Sequence, residues 1–134
     1  IVFLDDSIVR GTQLKDNVVK LRECGVKEVH IRIACPPLIY PCCFLNFSTS
    51  RSTFDLFARR VIRDLEGTSE LTDEILKPYS DPDSEKYKEM VRVMCQHLQL
   101  DSLQFQRLDD LVKAIGLPKE QLCTHCWDNS SYME

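Results

Sequence analysis

The sequence predicts an α/β fold: a parallel sheet with flanking helices, followed by a helical, cysteine-containing C-terminal segment. Three observations carry that expectation. A short β-branched apolar run, Ile1-Val2-Phe3-Leu4, reads as a buried strand of a parallel sheet. It leads through a small-residue stretch into an amphipathic helix and then into a second, alternating strand, which makes a βαβ unit with a right-handed crossover. After residue 66 the apolar spacing is almost entirely helical. The chain therefore divides into 1–66, built around the βαβ unit, and 67–134, mainly helical with a CxxC near its end.

Taken in order, the first strand runs into two adjacent carboxylates, Asp5 and Asp6, and then into Ser7, Gly11 and Thr12. Thr12 to Cys24 reads as a helix, because Leu14, Val18 and Leu21 fall at i, i+4 and i+7 and Gly25 can stop it. Val26 to Ala34 alternates, with Val29, Ile31 and Ile33 on the more buried face and His30 and Arg32 opposite. Three prolines between Cys35 and Cys43 forbid a helix and predict an extended loop that continues through Phe44 to Ser52. Thr53 is the expected N-cap of a helix whose apolar face is Phe54, Phe57, Ala58, Val61, Ile62 and Leu65, ended by Gly67.

Leu71 to Lys77 is expected as a short helix before Pro78, and Tyr79 to Ser84 as a turn. Ser84 can cap the next helix, whose face is Tyr87, Met90, Val91, Met94, Cys95 and Leu98. Ser102 to Gln106 reads as a short strand. Leu108 to Ile115 reads as a helix closed by Gly116 and Pro118.

Ligands of parallel sheets collect at the C-terminal ends of strands, and Asp5 and Asp6 sit at such an end. Small residues after a strand, followed by a helix N-terminus, can present amides to a phosphate. Two neighbouring carboxylates can take ribose hydroxyls or sit near magnesium. The layout is thus suited to a phosphorylated sugar. The loop lacks the Gly-Lys-Ser/Thr end of a Walker loop, which argues against a nucleoside triphosphatase.

The residues FLDDSIVRGTQ resemble the phosphoribosyl pyrophosphate (PRPP) signature of the type I phosphoribosyltransferases, and DDSIVRGT is close to its form in the amidophosphoribosyltransferases. The resemblance implies that Asp5 and Asp6 contact the ribose 2′ and 3′ hydroxyls, directly or through Mg2+. It implies that Ser7, Ile8, Val9, Arg10, Gly11 and Thr12 enclose the 5′-phosphate. It also implies an enzyme that makes 5-phosphoribosylamine from PRPP and glutamine-derived ammonia in purine biosynthesis, this chain being a C-terminal piece that is inactive alone. The glutaminase domain and the earlier half of the transferase would lie outside this sequence. Another PRPP-dependent phosphoribosyltransferase and a non-catalytic PRPP-binding protein stay open.

Seven cysteines are many for 134 residues. Their spacing is not that of a secreted disulfide scaffold, so metal or redox use is expected. Cys123 and Cys126 form a CxxC, with thiols about one helical turn apart. Read alone it is a zinc half-site, a redox pair or chance. Beside the resemblance, Cys42 joins Cys123 and Cys126 as three of four ligands of a 4Fe-4S cluster, with Cys43 a competitor for Cys42 and Trp127 to Tyr132 as the trailing segment. Zn2+ or no metal are the alternatives. Cys24 and Cys95 are expected in the core, with Met90 and Met94. Cys35 has no assigned role. His30 and His97 read as structural or solvated, His125 as able to tune the CxxC, and Trp127 as a packing anchor.

The net charge of −4 provides no general basic field for nucleic acid. No run is long enough to span a membrane. The remaining expectations are a cytoplasmic location and, by the resemblance, a homo-oligomer in the full protein.

Overall fold

The computed structural model describes residues 1–42 and 52–131. Cys43, the rest of the stretch 43–51 and Tyr132 lie outside the described residues. Strand β1 (Val2–Asp5) leads to helix α1 (Thr12–Glu23) and strand β2 (His30–Ile33). Helices α2 (Phe57–Glu66) and α3 (Asp73–Leu76) follow, and then the longer α4 (Glu85–His97). Strand β3 (Ser102–Phe105), helix α5 (Leu108–Ile115) and the single turn α6 (His125–Asp128) complete the order. Short 3-10 turns occupy Thr53–Asp55, Lys77–Ser80 and Lys119–Gln121.

Among the described residues the strands form one parallel sheet in the order β1-β2-β3. Val2 lies opposite His30, and Ile31 opposite Leu103. All three strands therefore point their C-terminal ends the same way, toward Asp5, Cys35 and Gln106. The core lies on one side of β2. Val29 and Ile31 are fully buried, and Ile33 nearly so. Against Ile31 and Ile33 pack Val61 and Ile62 of α2, Leu76 of α3, and Met90 and Met94 of α4. Residues from both stretches, 1–66 and 67–134, share this one cluster.

Several boundaries match the periodicity. Ser84 caps α4, its Oγ accepting from Tyr87 N at 3.0 Å. Gly67 and Gly116 end α2 and α5 in left-handed conformations, φ 67° and 78°.

Other expectations are corrected. β1 is parallel but not buried: Val2 is 65% and Leu4 83% exposed, because they register with His30 and Arg32 on the sheet face opposite the Ile31 and Ile33 core. The second strand spans His30–Ile33 rather than 26–34, since only those residues register with both neighbours. Thr53 does not cap a helix from Phe54. Ser52 caps a 3-10 turn there, and α2 starts at Phe57. Leu65 is exposed at the last turn of α2. The helix before Pro78 shrinks to Asp73–Leu76, and Pro78 sits in the first turn of a 3-10 segment, where its missing N–H costs nothing. Tyr79, expected in a turn, is 2% exposed. Its hydroxyl donates to Glu66 Oε1 at 2.6 Å. Cys24 is exposed as the C-terminal cap residue of α1, not part of the core. No described helix is long and apolar enough to cross a membrane.

Candidate functional site

β1 delivers Asp5 and Asp6 to the end of the sheet with both side chains exposed. Asp5 Oδ1 accepts from the N–H of the next residue, Asp6, at 2.9 Å. Asp6 Oδ1 accepts from Ser7 Oγ at 3.2 Å. Each carboxylate keeps free lone pairs toward solvent. Residues 5–14 and Asn17 line an open cleft of about 800 Å3.

The loop is anchored from beneath. Ile8 is 5% exposed and plugs the core, so only its backbone is available to a ligand. Val9 O accepts from Phe57 N at 2.8 Å, so the loop supplies the acceptor that α2 lacks in a side-chain cap. Arg10 O accepts from Arg60 Nη2 at 2.6 Å. Gly11 has φ 75°, and a Cβ there would stand 3.1 Å from the Phe57 ring. A residue with a side chain is therefore excluded twice, by conformation and by contact.

In a planar trans peptide the N–H points opposite to the C=O. Turning the Val9 and Arg10 carbonyls toward α2 therefore turns the Arg10 and Gly11 N–H groups away from it. Among the described residues, no N–H from Ser7 to Gly11 finds a protein acceptor. Gly11 begins α1 with no side-chain cap, and the first turn of α1 carries no acidic residue. An anion would thus meet open amides and the positive end of the helix dipole. The Ser7 and Thr12 hydroxyls flank the same cleft.

A second site lies across the sheet end. The loop after β2 is buried through Leu38, Ile39, Tyr40 and Cys42. It is held to α6 by Ile39 N and Tyr40 N, both donating to Cys126 O at 2.9 and 3.0 Å. Arg59 Nε donates to Ile39 O at 2.7 Å from the other side. The turn containing Cys126 is built by buried Thr124, whose Oγ1 donates to Asp128 Oδ1 at 2.7 Å. Lys119 pairs with Asp128 Oδ2 at 2.5 Å.

This frame brings Cys42 and Cys126 into side-chain hydrogen-bonding contact. Burial, then the neighbouring Cys42 and Cys123, push the Cys126 thiol up to about 12. Cys123 is exposed, near enough to be felt electrostatically but not drawn in. Among the described residues no three His, Cys, Asp or Glu side chains stand close enough to hold an ion together. The three cysteines named from sequence are therefore gathered as a close pair with a third at its rim. The His125 ring lies 6.0 Å from that of Tyr40, at the same turn.

Cys35, unassigned from sequence, joins the two sites. It stands at the end of β2, half-buried, its thiol raised to about 11 chiefly by burial. Contact with the Trp127 side chain lowers it, and the Asp5 and Asp6 charges raise it. Trp127 Nε1 is fully buried with no conventional acceptor. The other histidines are structural: His30 Nδ1 lies 2.9 Å from Ser102 Oγ, and the His97 ring rests 6.2 Å from that of Phe57.

No family model matches the chain. An amidophosphoribosyltransferase of Methanothermobacter thermautotrophicus is 30% identical over 128 residues, 96% of this chain and 21% of that protein. The chain belongs to the amidophosphoribosyltransferase family. An amidophosphoribosyltransferase of Pyrococcus horikoshii is 62% identical over 42 residues, 31% of this chain and 9% of that protein. Among solved structures, glutamine PRPP amidotransferase from B. subtilis complexed with ADP and GMP superimposes with a TM-score of 0.64 at 26% identity. That match covers 96% of this chain and 23% of the solved one. The chain thus spans about a fifth of the length of the amidophosphoribosyltransferases it matches end to end. Against that family the α/β architecture with a parallel sheet is the expected one.

Arg59, Arg60, Thr124 and Asp128 were not singled out from sequence. An arginine on an amphipathic helix reads as solvated, and only the fold shows which carbonyl it reaches. The N-cap-like Thr124, four residues before Asp128, was the one local signal available.

Proposed function

We propose that this chain supplies the sugar-phosphate half of a glutamine PRPP amidotransferase, the full protein forming 5-phosphoribosylamine from PRPP and glutamine-derived ammonia in purine biosynthesis. The observation that carries the reading is the row of open N–H groups at Arg10 and Gly11 beside two exposed carboxylates, at the C-terminal end of a parallel strand. The amides of residues 7–12, with the Ser7 and Thr12 hydroxyls, hold the 5′-phosphate. Arg10, exposed at the rim, adds positive charge. Asp5 and Asp6 orient the ribose through its 2′ and 3′ hydroxyls.

Positive charge develops at the anomeric carbon as pyrophosphate leaves, and carboxylates near the ring favour it. Most of the protein's contribution is position. Ammonia needs no general base from this chain. Residues 1–66 belong, in this reading, to the second half of a phosphoribosyltransferase domain. Residues 67–134 are its helical extension. The exposed apolar edge of β1 suits a further strand of the same protein, which is why the piece alone is expected to be inactive.

Two metals are compatible with the donor sets. Asp5 and Asp6 retain carboxylate oxygens toward the cleft, hard donors that suit Mg2+. When bound there, Mg2+ would neutralise charge on the departing pyrophosphate. Buried Cys42 touching Cys126 offers two thiols to a 4Fe-4S cluster or zinc, and Cys123 would join them by moving in from the rim. Loading either would displace the thiol protons that burial now retains. The cytoplasm is the compartment we assign, and a homo-oligomer the assembly.

The test is calorimetric titration of full-length protein with PRPP and Mg2+. Wild type should bind. Asp5→Asn with Asp6→Asn should weaken binding at least about 100-fold, from two charge-assisted contacts of roughly 1.5–3 kcal/mol each. Equal binding by the double variant would sink the assignment of the carboxylates. Broad visible absorbance with iron and sulfide would identify the cluster, and a colourless protein with zinc the structural alternative.

A further inference from the structure

We infer that Arg60 is a positioning residue for the sugar-phosphate loop, acting on the substrate only through the Arg10–Gly11 peptide; this rests on the PRPP reading above. Arg60 sits one turn into α2, half-buried, with its guanidinium 5.5 Å from the Phe57 ring centroid. Among the described residues it makes three bonds to backbone carbonyls and none to a carboxylate. Nη1 donates to Phe54 O at 3.2 Å and to Asp55 O at 3.0 Å. Nη2 donates to Arg10 O at 2.6 Å, across 50 residues of sequence.

The two ends of this clamp have different natures. Phe54 and Asp55 belong to the 3-10 turn before α2, so two bonds fix the guanidinium to the turn that leads into its own helix. The third reaches the loop. Because the peptide is planar, holding the Arg10 carbonyl fixes the direction of the Gly11 N–H. Gly11 is also the residue whose positive φ starts α1, and where an added Cβ would stand 3.1 Å from the Phe57 ring. Without the clamp, the Arg10–Gly11 peptide is free to rotate, since glycine imposes little restraint of its own. An amide turned toward α2 no longer faces the cleft.

The fork of Arg is required. Lysine carries the same charge but cannot span three carbonyls on two segments with a single ammonium. The side chain is committed to carbonyls and so is not itself a phosphate ligand. That separates it from Arg10, whose side chain is exposed at the cleft.

The experiment compares wild type, Arg60→Gln and Arg60→Lys in full-length protein, by PRPP titration, steady-state kinetics and thermal midpoint without ligand. Arg60→Gln should raise the PRPP Kd and KM about tenfold, with kcat within about twofold, as expected when ground-state positioning is lost. Arg60→Lys should stay severalfold weaker than wild type, at an unchanged thermal midpoint. If Arg60→Gln lowers the midpoint, the lysine variant decides. Wild-type affinity in Arg60→Lys would show that charge alone matters and overturn the clamp, as would wild-type affinity in a folded Arg60→Gln. A wild-type protein that does not bind PRPP would end the substrate reading itself, an outcome visible before any variant is made.

Discussion

The loop after β1 and the cysteine site lie at the same end of the sheet but are built in opposite ways. The loop is one contiguous run of residues that offers backbone N–H groups; the buried Ile8 side chain and the Val9 and Arg10 carbonyls anchor it. The cysteine site offers side chains and draws them from two segments 84 positions apart in sequence, Cys42 and Cys126. Both lean on the start of α2. Arg60 holds the carbonyl of Arg10, and its neighbour Arg59 holds that of Ile39. Adjacent residues on one helix thus brace two loops. The contrast teaches what each site is sensitive to: a backbone site fails when a peptide turns, a side-chain site when a segment drifts.

The sharpest way to break this comparison is Gly11→Ala. The positive φ strains any side chain there, and a methyl 3.1 Å from the Phe57 ring forces that ring to shift, so PRPP affinity should fall about 100-fold. Metal content should not change. Titration and metal analysis of the same sample decide it; coupled losses would mean that the two sites are one.

Cys126→Ser tests the converse. Bound iron or zinc should be lost, while the PRPP Kd moves by no more than about twofold, as for sites without a shared partner. A larger shift would locate the coupling at Cys35 and Trp127, which lie between them.

Thr124→Val keeps the shape and removes the hydroxyl that holds Asp128. It should cost about 1–2 kcal/mol, read as a lower thermal midpoint, because Thr124 is 2% exposed. Metal retention should weaken more than PRPP binding.

The smallest effect is expected far from both sites. Glu66 is held below its ordinary 4.5 by Lys86 and then by the Tyr79 hydroxyl. A depressed carboxylate contributes stability above its unfolded value and loses it as pH falls through the lower folded one. Glu66→Gln should therefore lower the midpoint at neutral pH slightly and flatten the loss below pH 4.5. The Lys86 side chain is 48% exposed, and solvent screening there keeps the effect small.

Legibility followed the same division. The bounds of α5 match the periodicity residue for residue, because capping glycine and apolar spacing are local signals. The acidic pair and small-residue loop were readable because they are consecutive. The exposure of β1 was not: an apolar run reports that a strand wants covering, not which of its faces the core reaches. Cys24 looked like a core residue by spacing, but α1 ends one position earlier and leaves it in solvent. The pairing of Cys42 with Cys126 followed from a family resemblance; spacing alone could not join them.

What the chain's order of residues determined by itself is therefore the βαβ unit, the loop with its carboxylates and glycine, the limits of α5 and the Ser84 cap of α4. Each depends on neighbours within about four positions, where backbone geometry and periodicity act directly. Which carbonyl each arginine holds, how Cys35 comes between two sites, and which thiols touch were decided only by packing. Those contacts join segments tens of residues apart, and it is burial of the shared core that brings them together.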